Sequence, residues 1–159
     1  MNPIIWLKDN LPQMDAEKRK VIEFVFLWQE YNFRYQMGYE DNLHDRERAL
    51  ELKDNQEAQT KYAELKNEFI DTFSNIDSLV SDNKPRTKLF IDYTSQHAKE
   101  YHRNGKDSLE DFLDVVYQIR CNFLHGEKLR REDEPIDVKL ICWAKDCLEK
   151  LLNEIHYFN

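Results

Sequence analysis

Apolar residues recur three or four positions apart along several separate segments of the chain, and no segment alternates apolar with polar residues as a half-buried strand would. This spacing places the apolar side chains along one side of an α-helix. Glycine and proline, which interrupt helices, number only 3 and 4, and Leu, Glu and Lys, which favour helices, are abundant. The pattern therefore predicts an all-α fold, an antiparallel bundle of about five helices.

Turn and capping residues divide the chain into these helices. The length of 159 residues suits one domain, covering 1–159. The first helix is predicted to start at Pro12 or Asp15 and to run to about Met37. The other four are predicted at about 41–73, at about 86–101, from Asp107 or Ser108 into Arg120, and from Pro135 onward.

The first predicted helix is apolar on two faces. Its main stripe consists of Val21, Phe24, Val25, Trp28, Tyr31 and Tyr35. A second stripe consists of Ile22, Phe26 and Phe33. Such a helix is usually central, or is shared between the core and a subunit interface. We therefore expect a homodimer with two-fold symmetry, formed through the second stripe or through the end of the Arg120 helix.

Charge, cysteines and hydropathy limit the function classes. The formal net charge of −8 argues against broad, sequence-independent binding of nucleic acid, but it allows a small local basic site. The three cysteines lack CxxC spacing and predict reduced thiols rather than disulfides or a zinc site, which indicates the cytoplasm. No run approaches the ~20 apolar residues of a membrane span. No nucleotide-binding or di-iron motif occurs, so no cofactor and no metal are expected.

The stretch QIRCNFLHGEK, residues 118–128, is unusual because it places polar residues at the end of an apolar helix. Arg120 falls within about 40° of the middle of the apolar arc of that helix. An isolated arginine there is usually paired with a carboxylate of another helix. His125 precedes Gly126, a natural helix stop, and alone would be a capping or surface histidine. Asn32, on the main stripe of the first helix, would alone make a structural hydrogen bond.

Taken together, these residues resemble the HEPN superfamily (higher eukaryotes and prokaryotes nucleotide-binding). Its domains are small helical bundles with an arginine followed, after four to six residues, by a histidine. VVYQIRCNFLHGEK is similar to the versions in bacterial abortive-infection proteins, and FLWQEYNFRY resembles their aromatic-rich first helix. Cys121 stands where a polar residue often follows the arginine, and the asparagine comes one position later, as Asn122.

The resemblance implies a metal-independent endoribonuclease that acts as a homodimer on RNA, in a toxin or phage-defence context with a protein partner or antitoxin. His125 would transfer protons, since histidine titrates near neutral pH. Arg120 would bind the phosphate through two hydrogen bonds. Asn122 would orient either group, and Asn32 and Lys128 would support the site.

Other interpretations remain open on the sequence. The chain would also fit a catalytically silent HEPN-like module that binds a protein partner or a nucleotide. It would equally fit a plain helical interaction domain in which the Arg120–His125 pair is structural. A Cys121–His125 nucleophile is a weaker hypothesis, because nothing nearby supplies an oxyanion hole.

Overall fold

The computed structural model describes residues 15–36, 45–80, 101, 107–125 and 135–158, and within these ranges every regular element is a helix. The all-α prediction is therefore confirmed. The elements are α1 (Ala16–Gln36), α2 (Asp45–Leu50), a 3₁₀ turn (Glu51–Asp54), α3 (Gln56–Val80), α4 (Leu109–His125) and α5 (Pro135–Glu154). The helix predicted at 86–101 lies outside the described residues except for Tyr101, so the count of five helices stays a prediction.

Three helices begin at the residues that the sequence indicates. The Asp15 carboxylate accepts a hydrogen bond from the backbone N–H of Lys18 at 2.9 Å, and this bond lowers the pKa of Asp15. At the start of α4, the backbone N–H of Asp111 donates to Ser108 Oγ, and the backbone N–H of Ser108 donates to the Asp111 carboxylate, both at 3.2 Å. This reciprocal pair is a capping box. Pro135 is the first residue of α5.

The charged segment predicted at 41–73 is divided in the structure. Asn55 ends the 3₁₀ turn, and its side-chain oxygen accepts a hydrogen bond from the backbone N–H of Ala58 at 2.9 Å. This cap starts α3, which then continues to Val80. The sequence allows either one solvated helix or a helix plus a loop in the first part of this segment, and the structure has a short helix followed by the 3₁₀ turn.

Large aromatic side chains lie at the centre of the core. Phe112 of α4 is fully buried. Its ring centroid lies 5.1 Å from that of Phe69, 5.4 Å from that of Tyr62 and 5.8 Å from that of Trp143. The predicted apolar arcs of α4 and α5 are buried at Leu109, Phe112, Leu113, Val116, Ile119, Leu140, Ile141, Ala144, Leu148, Leu151 and Ile155.

Helices α1 and α5 pack along their length and run in the same direction. Near the start of both, Lys139 Nζ lies 3.7 Å from the Glu17 carboxylate. Near the end of both, the Tyr157 hydroxyl donates to the Tyr31 carbonyl at 3.1 Å. Contacts therefore advance along both helices together, so this pair departs from the predicted antiparallel arrangement. Parallel neighbours need a long connection, which the segments between α1 and α5 provide.

Helices α3 and α5 are antiparallel, as predicted. Lys61, near the start of α3, lies 4.0 Å from the carboxylate of Glu154 at the end of α5. Further along α3, the Phe69 carbonyl accepts a hydrogen bond from Trp143 Nε1, in the first half of α5. The bundle therefore combines one parallel and one antiparallel neighbour around α5. Across the described residues, none of these helices has the length and apolarity that crossing a membrane requires.

Candidate functional site

Arg120 lies in the last turns of α4, at the border of the buried arc of that helix. Ile119 beside it is fully buried, while Arg120 itself is half-buried. This agrees with its predicted place near the apolar arc. The side chain that faces it comes from α1 and is Trp28. The candidate site is therefore the contact between α1 and α4.

The Arg120 guanidinium lies over an aromatic ring rather than beside an acid. Its Cζ atom is 5.9 Å from the centroid of the Trp28 ring, and its Nη1 is 3.9 Å from Cys121 Sγ. No carboxylate of the described residues forms an ion pair with it. A cation over a tryptophan face gains about 0.5–2 kcal/mol. A core ion pair, the usual environment of an isolated buried arginine, is therefore absent for Arg120 among the described residues.

Two N–H groups at this contact are buried without a hydrogen-bond acceptor, Arg120 Nε and Trp28 Nε1. Leaving such a donor unpaired costs roughly 1–3 kcal/mol. Most buried polar groups in folded proteins are paired, so an unpaired one requires an explanation. The α1–α4 contact thus holds a half-buried cation that no carboxylate of the described residues neutralises.

The Trp28 ring is held in place by other aromatic side chains. Trp28 is only 4% exposed. Its ring centroid lies 5.5 Å from that of Tyr31, and 6.3 Å from those of Phe24 and Tyr117. Tyr117 and Arg120 are three residues apart on α4, so one turn of that helix contacts Trp28 twice. Helical spacing predicts Trp28 in the core stripe of α1, but it carries no signal that the ring faces an arginine.

His125 is the last residue of α4, as its position before Gly126 predicts, but its side chain lies outside the described residues. His125 comes five positions after Arg120, which corresponds to about 140° around the helix axis and about 7.5 Å along it. The helical positions nearest to His125 are those of Cys121 and Asn122. The backbone of α4 thus places Arg120 and His125 near one end of the helix but on different sides. The roles predicted for His125 and Asn122 stay predictions.

The two supporting residues are less fully described. Asn32 belongs to α1, four residues after Trp28, so its helical position is one turn further along the same side. Its side chain and all of Lys128 lie outside the described residues. Their predicted contributions to the site stay predictions as well.

A groove of about 500 Å³ between α3 and α5 is the main alternative site. Two of its lining residues are Cys142 and Cys147, and like Cys121 they are free thiols, as the sequence predicts. Burial raises the pKa of Cys142 to about 11, and it also raises the pKa of Cys147. Thiols that stay protonated at neutral pH are poor nucleophiles and poor metal ligands. The groove therefore lacks an activated cysteine.

The charged and polar groups of this groove are paired with one another. Lys150 Nζ lies 2.7 Å from the Glu68 carboxylate. Trp143 Nε1 donates to the Phe69 carbonyl and to Thr72 Oγ1, both at 3.1 Å. Paired groups of this kind join α3 to α5, and the cations that line the groove already have carboxylate partners, so the α1–α4 contact is the stronger candidate.

No three His, Cys, Asp or Glu residues gather closely enough to hold a metal ion in the part of the chain that the structure describes. No protein-family model, curated protein or solved structure matches the chain. The function is therefore inferred from the side chains themselves and from the motif at 120–125.

Proposed function

We propose that this protein is a metal-independent endoribonuclease of HEPN type that uses Arg120 and His125. The observation that carries the proposal is the environment of Arg120. Its guanidinium is half-buried and rests on Trp28, and no described carboxylate pairs with it. An arginine that is already neutralised by an acid must give up that partner before it binds a phosphate. Among the described residues, Arg120 has no such partner to displace.

The proposed reaction is attack of an RNA 2′-hydroxyl on the adjacent phosphate. One imidazole takes the proton of the 2′-hydroxyl while the new P–O bond forms. A second group donates a proton to the 5′-oxygen as the bond from phosphorus to that oxygen breaks. Arg120 stabilises the negative charge that develops on the non-bridging oxygens. The products are a 2′,3′-cyclic phosphate and a 5′-hydroxyl, and the metal-free step consumes no water.

The test is cleavage of single-stranded RNA in the presence of EDTA. His125→Ala should slow cleavage by roughly 10² to 10⁴-fold through the loss of proton transfer. Arg120→Ala should slow it by roughly 10² to 10³-fold, by analogy with the loss of one oxyanion donor. Arg120→Lys should also lose most activity if two hydrogen bonds from a planar group are needed. The matched control is Arg46→Ala, because Arg46 Nε is bound to the Asp114 carboxylate at 2.9 Å.

Three results would contradict the proposal. Cleavage that requires magnesium would point to a metal-activated nucleophile. Cleavage that survives in an Arg120→Ala, His125→Ala double variant would place the chemistry elsewhere. RNA that binds the folded protein at low salt and is never cut would favour the silent binding module instead. Low salt is needed because the acidic surface weakens attraction to RNA.

We also propose that the active form is a homodimer in which the ends of the two α4 helices meet. The support is the helical geometry of α4, since Arg120 and His125 lie on different sides of it within one chain. A two-fold axis at this end would let the arginine of one subunit act with the histidine of the other. The exposed Phe26 offers a different interface, but its helical position on α1 is about 160° from that of Trp28. Pairing through Phe26 would keep the two sites apart.

Subunit mixing distinguishes these arrangements. Light scattering should report twice the chain mass, and Phe26→Ser, which changes a side chain in a residue 49% exposed, should leave that mass unchanged. Arg120→Ala and His125→Ala subunits, each inactive alone, should regain cleavage when they are dissociated and reassembled together. A monomer that cuts RNA at the full rate would exclude the dimer. If Phe26→Ser were a monomer, the dimer interface would lie on α1 and not at the end of α4.

A further inference from the structure

The nitrogen atoms of the Arg120 guanidinium have different surroundings. Its Nε is buried and has no acceptor, while the residue as a whole remains half-exposed. The terminal nitrogen Nη1, by contrast, lies 3.9 Å from Sγ of Cys121, a partly exposed neighbour on the same helix. The Cζ atom of the same guanidinium lies 5.9 Å from the centroid of the buried Trp28 ring. The buried Nε–H has no hydrogen-bond partner among the described residues.

From this arrangement we propose that Trp28 is a positioning residue, which fixes the orientation of Arg120 so that only its two terminal nitrogens are offered to a ligand. A guanidinium can bind an oxyanion side-on, through Nε and one terminal nitrogen, or end-on, through both terminal nitrogens. With Nε directed inward, the side-on mode is blocked. The ligand is then a phosphate group held end-on. This use of the site rests on the proposed function, but the orientation of Arg120 does not.

The rigidity of Trp28 supports this role. The ring is 4% exposed and is in contact with three aromatic rings, two from α1 and one from α4. Its own N–H has no acceptor, so the indole acts on Arg120 through its face and not through a hydrogen bond. A phenyl ring at this position should therefore retain most of the effect, whereas an aliphatic side chain should not.

Orientation can be measured without any activity, by NMR of arginine side chains. The Nε–H resonance of Arg120, identified by its disappearance in Arg120→Lys, should be shifted upfield by the ring current of Trp28. It should also exchange slowly with water, because Nε is buried. The Nε–H of free arginine in the same buffer is the reference. An Arg120 resonance with an unshifted position and rapid exchange in the wild-type protein would overturn the proposal.

Catalysis gives the second measurement. Trp28→Leu should lower kcat about tenfold to hundredfold, because a freely rotating guanidinium is no longer preorganised, and it should abolish the shifted resonance. Trp28→Phe should stay within about threefold of wild type and keep a shifted resonance. The pH profile of kcat should be the same in both variants, since neither removes the proton-transfer group. Equal losses in Trp28→Leu and Trp28→Phe would overturn the positioning role.

The NMR and kinetic measurements distinguish a failure of the proposed function from a failure of the positioning role of Trp28. If the wild-type protein cuts no RNA but shows the shifted, slowly exchanging resonance, the proposed function fails while the orientation of Arg120 stands. If RNA is cut and the resonance is unshifted, the positioning role of Trp28 fails while the proposed function stands. Should Trp28→Leu not fold, the wild-type resonance and Trp28→Phe still decide the question.

Discussion

The α3–α5 contact and the α1–α4 contact differ in how their buried tryptophans are hydrogen-bonded. Trp143, in the first contact, donates to the Phe69 carbonyl and to Thr72 Oγ1 at 3.1 Å. Trp28, in the second, is buried to a similar extent and donates to nothing. Both rings fill core volume, but only one of them has its polar atom satisfied. The polar groups of the α3–α5 contact stabilise the packing of the two helices. The α1–α4 contact contains unpaired polar groups that stability alone does not explain.

The cations of the two regions also differ in whether the described carboxylates pair with them. The Lys145 ammonium on α5 lies 2.5 Å from Glu149, 3.1 Å from Glu23 and 3.7 Å from Asp146. Burial alone would lower the pKa of Lys145, but the hydrogen bonds to Glu149 and Glu23 outweigh it and the pKa is raised. Arg120 has a tryptophan face where Lys145 has three carboxylates. Among the described residues, three carboxylates lie close to Lys145 and none pairs with Arg120.

The largest expected effect comes from exchanging each tryptophan for phenylalanine. Trp143→Phe should lower the free energy of unfolding by about 2–3 kcal/mol, since it loses two hydrogen bonds and part of a packed ring. Trp28→Phe should cost only about 1 kcal/mol, because it removes volume but no hydrogen bond. Urea unfolding followed by circular dichroism measures both. Equal losses would mean that Trp28 has a hydrogen-bond partner after all, and the contrast between the two contacts would disappear.

A smaller effect is expected when each cation is replaced by methionine, which keeps an unbranched apolar stem. Lys145→Met should cost about 1–2 kcal/mol at pH 7, because the carboxylates lose their shared partner while remaining partly hydrated. Arg120→Met should change the free energy of unfolding by less than about 0.5 kcal/mol, since the lost cation–π contact is offset by removing an unpaired donor.

The Lys145 effect has a defined pH range. A pKa raised in the folded state contributes stability that is fully present below about 10.5 and is lost as pH rises through the folded value. The difference between wild type and Lys145→Met should therefore be constant from pH 6 to 9 and shrink above that range. If Arg120→Met lowered the free energy of unfolding as much as Lys145→Met does, Arg120 would be a structural residue.

Much of the fold could be predicted because it depends on neighbours in the sequence. The cap at Ser108 needs only Asp111 three residues later, and the buried arc through Val116 needs only helical spacing. The direction of α1 relative to α5 could not be predicted in this way. It depends on which distant helices pack together, and the apolar stripes of α1 and α5 are compatible with either direction.

The site could be predicted only in part, for a similar reason. The spacing placed Arg120 near the buried arc of α4, but it could not identify the opposite side chain. With 31 acidic residues in the chain, a carboxylate was the expected partner, and a tryptophan is the one found. At His125 the helix ends, so periodicity no longer determines the direction of the side chain.

The parallel pairing of α1 with α5 has a consequence for the synthesis of the chain. The ribosome completes α1 before any other described helix, and it completes the partner of α1 after all of them. Until α5 emerges, the apolar side of α1 that includes Phe24 has no α5 to cover it. Contacts between residues so far apart form late and slow folding. The part of α1 that packs against α5 therefore stays uncovered until the last described helix is made, and exposed apolar surface of this kind favours aggregation.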